Sequence, residues 1–345
     1  MITSGDGTMR WRVLVSAPYM KSVIAEYEPI LRAAGVEVVV PPVVERLEED
    51  DLLRWAADVD GLICGDDRVT ERMLRACPRL RVISKWGTGT DSIDREAARR
   101  LGVAVCNTPG AFTDPAADTV MGYVLTFARR LFTMDRDIRG GRWQKPQSIS
   151  LRECTLGIIG VGNIGKAVVK RAVAFGMTVL GRDPVEVPTA FRESTGLGMV
   201  TTDELLSRAD FVSLNCDLNP TSHHLIGERE LRRMKSTAYL INTSRGPVVD
   251  EASLITALEM RRIAGAALDV FEQEPLPADS PLRRLENCLL APHNANSSPA
   301  AARRVHENTI KNLLDGLRAA SHGRRDGEQP AAGMERVEAA GLGGQ

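Results

Sequence analysis

At 345 residues the chain exceeds what one ordinary hydrophobic core organises, so two domains are expected. A net charge of −1 gives no electrostatic reason to expect nucleic acid or an anionic membrane as partner. No apolar run approaches the length of a membrane span, and the start, Met1 to Thr8, lacks the basic and apolar regions of a signal peptide. Cys64, Cys77, Cys106, Cys154, Cys216 and Cys288 are scattered with no C-x-x-C pair. They fit reduced thiols better than a disulfide or zinc framework, so no metal is expected and the expected setting is the cytoplasm.

The first hundred residues alternate strand and helix. Arg12–Ala17 reads as a buried strand, followed by a helical stretch to Ala34 that Gly35 ends as a C-cap residue does. Val36–Val40 forms the next strand, and Pro41-Pro42 stops it. Leu52–Asp58 reads as helix, Gly61–Cys64 as strand, Thr70–Ala76 as helix and Leu80–Ser84 as strand. Continuous apolar strands separated by helices imply a parallel sheet covered on both faces. A long helix is expected from Asp114 to Arg130, with Pro115 in the first turn, where its missing N–H costs nothing.

The stretch from Thr155 to Gly165 then reads as an apolar strand, a glycine turn and the start of a helix at Asn163, and a second strand runs on to Asp183. Each glycine has its own mechanical reason. Gly160 permits the tight turn, Gly162 lets the backbone approach a pyrophosphate, and Gly165 lets the helix pack closely on the strand. Amides at the helix start, around Asn163 and Ile164, then face phosphates with a favourable dipole. Asp183, at the end of the second strand, is placed to accept hydrogen bonds from ribose hydroxyls, which points to NAD as cofactor. The second half continues with strands Asp210–Leu214, Ala238–Asn242, Ala264–Leu268 and Cys288–Ala291, then a helix from Ser298 to Leu317. The polar ends, residues 1–9 and 321–345, are expected to be disordered.

Three polar residues directly follow three of those strands: Arg245, Glu274 and His293. In an open parallel sheet, ligands bind outside the carboxyl ends of the strands, so all three point to the edge where a nicotinamide would lie. An arginine there can bind a carboxylate through two N–H groups. A histidine can exchange a hydroxyl proton, and a neighbouring carboxylate can orient its ring and raise its pKa. Each also has a plain structural reading: a loop clamp, a surface acid, a histidine at a domain junction.

The chain resembles the D-isomer-specific 2-hydroxyacid dehydrogenases, the family that includes D-3-phosphoglycerate dehydrogenase. The resemblance spans residues 12 to 318 and is carried by Gly160–Gly165, Asn242–Gly246, Gly265–Pro275, Ala291-Pro-His293, Lys85–Asp94 and Asn107–Gly110. It implies an α/β fold of two Rossmann-like doubly wound parallel-sheet domains, the substrate domain discontinuous (10–106 and 294–320) and the NAD-binding domain at 107–293. It implies that Arg245 binds substrate, Glu274 is the partner acid and His293 the proton donor or acceptor. The Gly87-Thr88-Gly89 loop would bind the substrate carboxylate through backbone N–H groups, with Lys85 adding positive charge. Asp183 would meet the adenosine ribose, with Thr243 also on the cofactor and Asp269 near the nicotinamide carboxamide. A homodimer is implied, built around the segment from Asp114 to Trp143.

The sequence departs from the family pattern at Asn294–Ser297, at Asp217 and at Asp118, which bears on the shape of the substrate pocket. After the strand Gly61–Cys64, phosphoglycerate dehydrogenases commonly carry an Arg-Ser pair suited to phosphate, whereas this chain has Gly65-Asp66-Asp67-Arg68. Two carboxylates there would repel a phosphate unless Arg68 or Lys85 offsets them. The expected activity is hydride transfer between nicotinamide and C2 of a small D-2-hydroxy or 2-keto acid, of hydroxypyruvate or glyoxylate type or carrying a phosphate or phosphonate. A D-3-phosphoglycerate dehydrogenase and an NAD(H)-sensing co-repressor-like binding protein stand as alternatives.

Overall fold

The computed structural model describes residues 10–322. Its strands are β1 (Trp11–Val15), β2 (Val36–Val39), β3 (Gly61–Cys64), β4 (Val82–Lys85), β5 (Ala104–Cys106), β6 (Thr155–Ile159), β7 (Thr178–Arg182), β8 (Gly198–Met199), β9 (Phe211–Leu214), β10 (Tyr239–Asn242), β11 (Gly265–Leu268) and β12 (Cys288–Leu290). They form two wholly parallel sheets, ordered β2-β1-β3-β4-β5 and β12-β11-β10-β9-β6-β7-β8. Both sheets wind outward in two directions from a switch point, between β1 and β3 in the first and between β6 and β9 in the second. The α/β fold of two doubly wound parallel sheets is thus the one the sequence implies.

The chain divides into two compact units. Among the described residues, the first comprises 10–86, Ser92–Asn107 and 307–322; the second comprises Gly87–Asp91 and Thr108–His306. The expected division instead assigned residues 87–91 and 294–306 to the first unit and Asn107 to the second. In the first unit, Leu14, Leu62, Cys64 and Ile83 join Leu52, Met73 and Ala97 from the helices in one buried cluster. The helix Pro299–His322 covers the same sheet: Ser84 Oγ donates to the Thr309 carbonyl at 2.8 Å, and a Cβ at Gly316 would lie 2.5 Å from Val82.

In the second unit, successive strand residues feed opposite clusters, as the two-residue period of a strand requires. Val212, Leu240 and Ala266 pack with Leu205, Leu254 and Leu258. Phe211, Ile241 and Ala267 pack on the other face with Val120, Val124, Val168 and Ala172. This two-sided burial is why the strands read as continuous apolar runs.

Ser321 and His322, expected in a disordered tail, instead complete the last helix, where Ser321 Oγ donates to the Leu317 carbonyl at 3.0 Å. The rest of the expectation for the two ends lies outside the described residues. Among the described residues, no helix is long and apolar enough to cross a membrane.

Candidate active site

The glycine turn sits at the switch point of the second sheet, and its three glycines are needed for three different reasons. Gly160 has φ of 91°, and a Cβ there would lie 2.6 Å from the Cys216 nitrogen in the loop after β9. A Cβ on Gly165 would lie 2.1 Å from the Gly160 carbonyl oxygen, so the helix Asn163–Ala174 rests directly on the turn. A Cβ on Gly162 would meet nothing within 4 Å. The protein itself therefore forbids side chains at the first two positions, while at the third only an approaching ligand would. No side chain caps this helix, so the first-turn amides of Asn163 and Ile164 are left to whatever occupies that space. Thr243 Oγ1, just after β10, is buried without a hydrogen-bond partner. An open glycine face, an uncapped helix start and an orphaned hydroxyl fit a bound dinucleotide.

Asp183 follows β7 directly, and its two carboxylate oxygens accept the N–H groups of Val161 at 2.6 Å and Val185 at 2.8 Å. The acid expected to meet ribose thus also pins the glycine turn to the second strand. Asp118 and Asp114 hold Arg171 at 2.7 and 3.0 Å, so this departure from the family pattern serves an ion pair between two packed helices.

Arg245, Glu274 and His293 lie on loops after β10, β11 and β12, all at the carboxyl edge of one sheet. Asn242 shapes the first loop: its Oδ1 accepts the Ser244 N–H at 3.0 Å and Oγ at 2.8 Å, and its Nδ2 donates to the Arg245 carbonyl at 2.9 Å. Gly246 lets this loop press on the next, since a Cβ there would lie 1.9 Å from the carbonyl carbon of Phe271. In that second loop Glu274 Oε1 accepts the Phe271 N–H at 2.9 Å, and Oε2 lies 2.8 Å from His293 Nδ1. Glu274 therefore holds the ring through Nδ1 and sets its orientation.

His293 has the left-handed φ of 49°, and Asp269 holds it there. The Asp269 carbonyl accepts the His293 N–H at 2.7 Å, and its carboxylate accepts the N–H groups of Asn294 at 2.9 Å and Ala295 at 2.8 Å. Asp269 is 1% exposed, so the residue expected near the carboxamide also fastens the histidine loop.

Arg245 meets the Gly87–Gly89 loop. Its Nε lies 3.1 and 3.3 Å from the two carboxylate oxygens of Asp91, and its Nη1 donates to the Ser244 carbonyl at 2.9 Å. A Cβ on Gly89 would lie 1.8 Å from Nη2. The loop is anchored by Thr108, whose N–H donates to the Gly87 carbonyl at 2.9 Å and whose carbonyl accepts Thr88 Oγ1 at 3.2 Å. Sequence reading misses Asp91, because 154 residues separate it from Arg245.

Lys85 and the acids after β3 belong to the first unit. Lys85 is 3% exposed, and its Nζ donates to Asp66 at 2.8 Å. Asp67 is fully buried and accepts Ser16 Oγ at 2.7 Å and the N–H groups of Leu47 at 2.6 Å and Gly65 at 2.9 Å. Burial raises its pKa above the ordinary 3.8, against those hydrogen bonds. Of the two carboxylates, Asp67 is an internal brace, and Asp66 is offset by Lys85, which is the exception allowed for in the expected repulsion of a phosphate.

Residues 121–295 match the family described as D-isomer specific 2-hydroxyacid dehydrogenase, NAD binding domain. The chain is 42% identical over 270 residues to a glyoxylate reductase of Korarchaeum cryptofilum, covering 76% of this chain and 81% of that one. It is 37% identical over 312 residues to a D-3-phosphoglycerate dehydrogenase of Methanocaldococcus jannaschii, covering 88% of this chain but 58% of that protein. The structure of an Aquifex aeolicus D-lactate dehydrogenase complexed with NAD and lactic acid aligns with a TM-score of 0.79 at 26% identity, over 92% of this chain and 98% of that one. This chain belongs to the D-isomer-specific 2-hydroxyacid dehydrogenase family and is an NAD-dependent oxidoreductase of small 2-hydroxy and 2-keto acids.

Proposed function

We propose that the protein reduces small 2-keto acids of the glyoxylate and hydroxypyruvate type, with Arg245, Glu274 and His293 as its catalytic residues. The observation that carries this reading is the 2.8 Å contact between Glu274 and His293 Nδ1, on the sheet edge that also bears Arg245. Arg245 and the amides of Gly87, Thr88 and Gly89 bind the substrate carboxylate, and Arg245 polarises the keto oxygen. Protonated His293 gives its Nε2 proton to that oxygen while Glu274 steadies the imidazolium. When bound, NADH supplies the hydride that C2 receives. Gly162, Asn163 and Ile164 would hold the pyrophosphate on the turn shaped by Gly160 and Gly165, Asp183 would hold the ribose, and Thr243 and Asp269 would hold the nicotinamide side. NADH is preferred over NADPH because the Asp183 charge repels a 2′-phosphate.

The substrate's distal side is small and unphosphorylated, in keeping with the glyoxylate reductase that this chain resembles at 42% identity. The protein works as a homodimer, to which the exposed Leu131, Phe132, Ile138 and Trp143 contribute an apolar surface. Its six free cysteines suit the cytoplasm. The test compares kcat/KM for glyoxylate, hydroxypyruvate, phosphonopyruvate and 3-phosphohydroxypyruvate with NADH, then repeats the best acid with NADPH. Glyoxylate or hydroxypyruvate is expected to lead. A clear preference for 3-phosphohydroxypyruvate overturns the substrate assignment, and equal rates with both coenzymes overturn the role of Asp183.

A further inference from the structure

We infer that Asp91 is a positioning residue: it orients the Arg245 guanidinium and offsets its charge, so that the site takes a monocarboxylate rather than a dianion. This rests on the reading of Arg245 as the carboxylate-binding arginine. An arginine at the tip of a loop has several rotatable bonds and binds a planar carboxylate well only when its fork is already aimed. Two contacts fix this one. The Asp91 carboxylate spans the Nε edge, with oxygens at 3.1 and 3.3 Å, and the Ser244 carbonyl accepts from Nη1 at 2.9 Å. Nη2 is thereby directed over Gly89, where a Cβ would lie only 1.8 Å away. The loop that offers its amides to a carboxylate thus also supplies the acid that turns the arginine towards it. Both side chains are 24% exposed, so the pair is partly shielded from water and its charges act at short range.

The charge balance has its own consequence. An isolated arginine would favour whichever ligand carries more negative charge. With Asp91 on its Nε edge, the Arg245–Asp91 pair is neutral, so a second negative charge on the ligand meets a carboxylate across the guanidinium.

The test uses Asp91→Ala, Asp91→Asn, Arg245→Ala and the Asp91→Ala/Arg245→Ala double variant in the full chain. Asp91→Ala is expected to raise KM for glyoxylate about tenfold, as for loss of one charge-assisted hydrogen bond, with the Kd for NADH unchanged. In the Arg245→Ala background the same change is expected to add less than about twofold. Asp91→Asn keeps an acceptor for Nε but removes the charge. It is expected to shift inhibition by about threefold or more towards oxalate, a dianion, relative to the monoanion oxamate, a change that general loosening of the loop would not produce. Additive effects of the two alanine substitutions, or an oxalate-to-oxamate ratio unchanged in Asp91→Asn, overturn the inference while leaving Arg245 in the site. Wild-type kinetics in Arg245→Ala overturn the reading of the arginine itself and the role of Asp91 with it.

Discussion

The two sheets have the same winding, yet their switch points are finished in opposite ways. In the first sheet the ends of β1 and β3 are joined by the protein's own groups: Ser16 donates both its hydroxyl to Asp67 and its N–H to the Ile63 carbonyl. In the second, the loops after β6 and β9 touch at Gly160, but two residues further on Gly162 faces open space. One fold therefore gives two switch points, the first filled by Asp67 and the second open at Gly162. A buried acid with three donors consolidates the first, whereas an uncapped helix and bare glycine keep the second receptive. Topology marks where a ligand can bind, and the residues at the strand ends decide whether it does.

The largest effect that sharpens this contrast is expected at the receptive edge. His293→Asn should lower kcat by ~10²–10⁴-fold, the usual worth of a general acid, with NADH affinity close to wild type. Steady-state kinetics beside a fluorescence titration of NADH check this, and a kcat within a factor of a few of wild type would remove His293 from proton transfer. Next comes Gly162→Val. Its side chain enters open space, so the melting temperature should hold while NADH affinity falls by ~10–100-fold. Calorimetric titration showing undiminished NADH binding would mean that no phosphate approaches that face.

The smallest expected effect on binding and turnover belongs to the filled switch point. Asp67→Ala strands two buried N–H groups and leaves the Ser16 hydroxyl only the Ile63 carbonyl at 3.3 Å, which costs about 2–4 kcal/mol of stability and several degrees in Tm, while NADH affinity stays unchanged. Asp67→Asn tests the electrostatic part. Because the folded pKa of Asp67 is raised, the stability tied to its protonated form is present below the ordinary 3.8 and is lost as pH rises through the folded value. The Tm advantage of wild type over Asp67→Asn should therefore shrink as pH climbs from about 4 towards neutrality. A constant difference across that range would show that Asp67 titrates normally.

Much of this is legible in the chain. The strand Gly61–Cys64 is placed to the residue, and Thr70 caps the helix expected to begin there, because short apolar runs bounded by turn residues have few other uses. The edge strands β5 and β8 escape detection: they are three and two residues long, and Ala104 is exposed, so neither carries a pattern to read. At the site, the sequence places Arg245, Glu274 and His293 after their strands, since strand ends are local features. It does not show which acid serves which partner. Asp67 and Asp91 look alike as carboxylates after apolar or glycine-rich stretches. Only tertiary contact turns one into a brace for Ser16 and Leu47 and brings the other to Arg245.

The backbone of His293 carries one more implication. A left-handed φ of 49° suits asparagine or glycine better than histidine, and such a conformation costs of order 1–3 kcal/mol for an ordinary residue. Asp269 meets that cost with three hydrogen bonds to residues 293–295. On the proposed role of His293 in proton transfer, substitution by asparagine or glycine should give a sturdier but slower protein. A descendant released from selection for turnover should therefore lose this histidine before its fold decays.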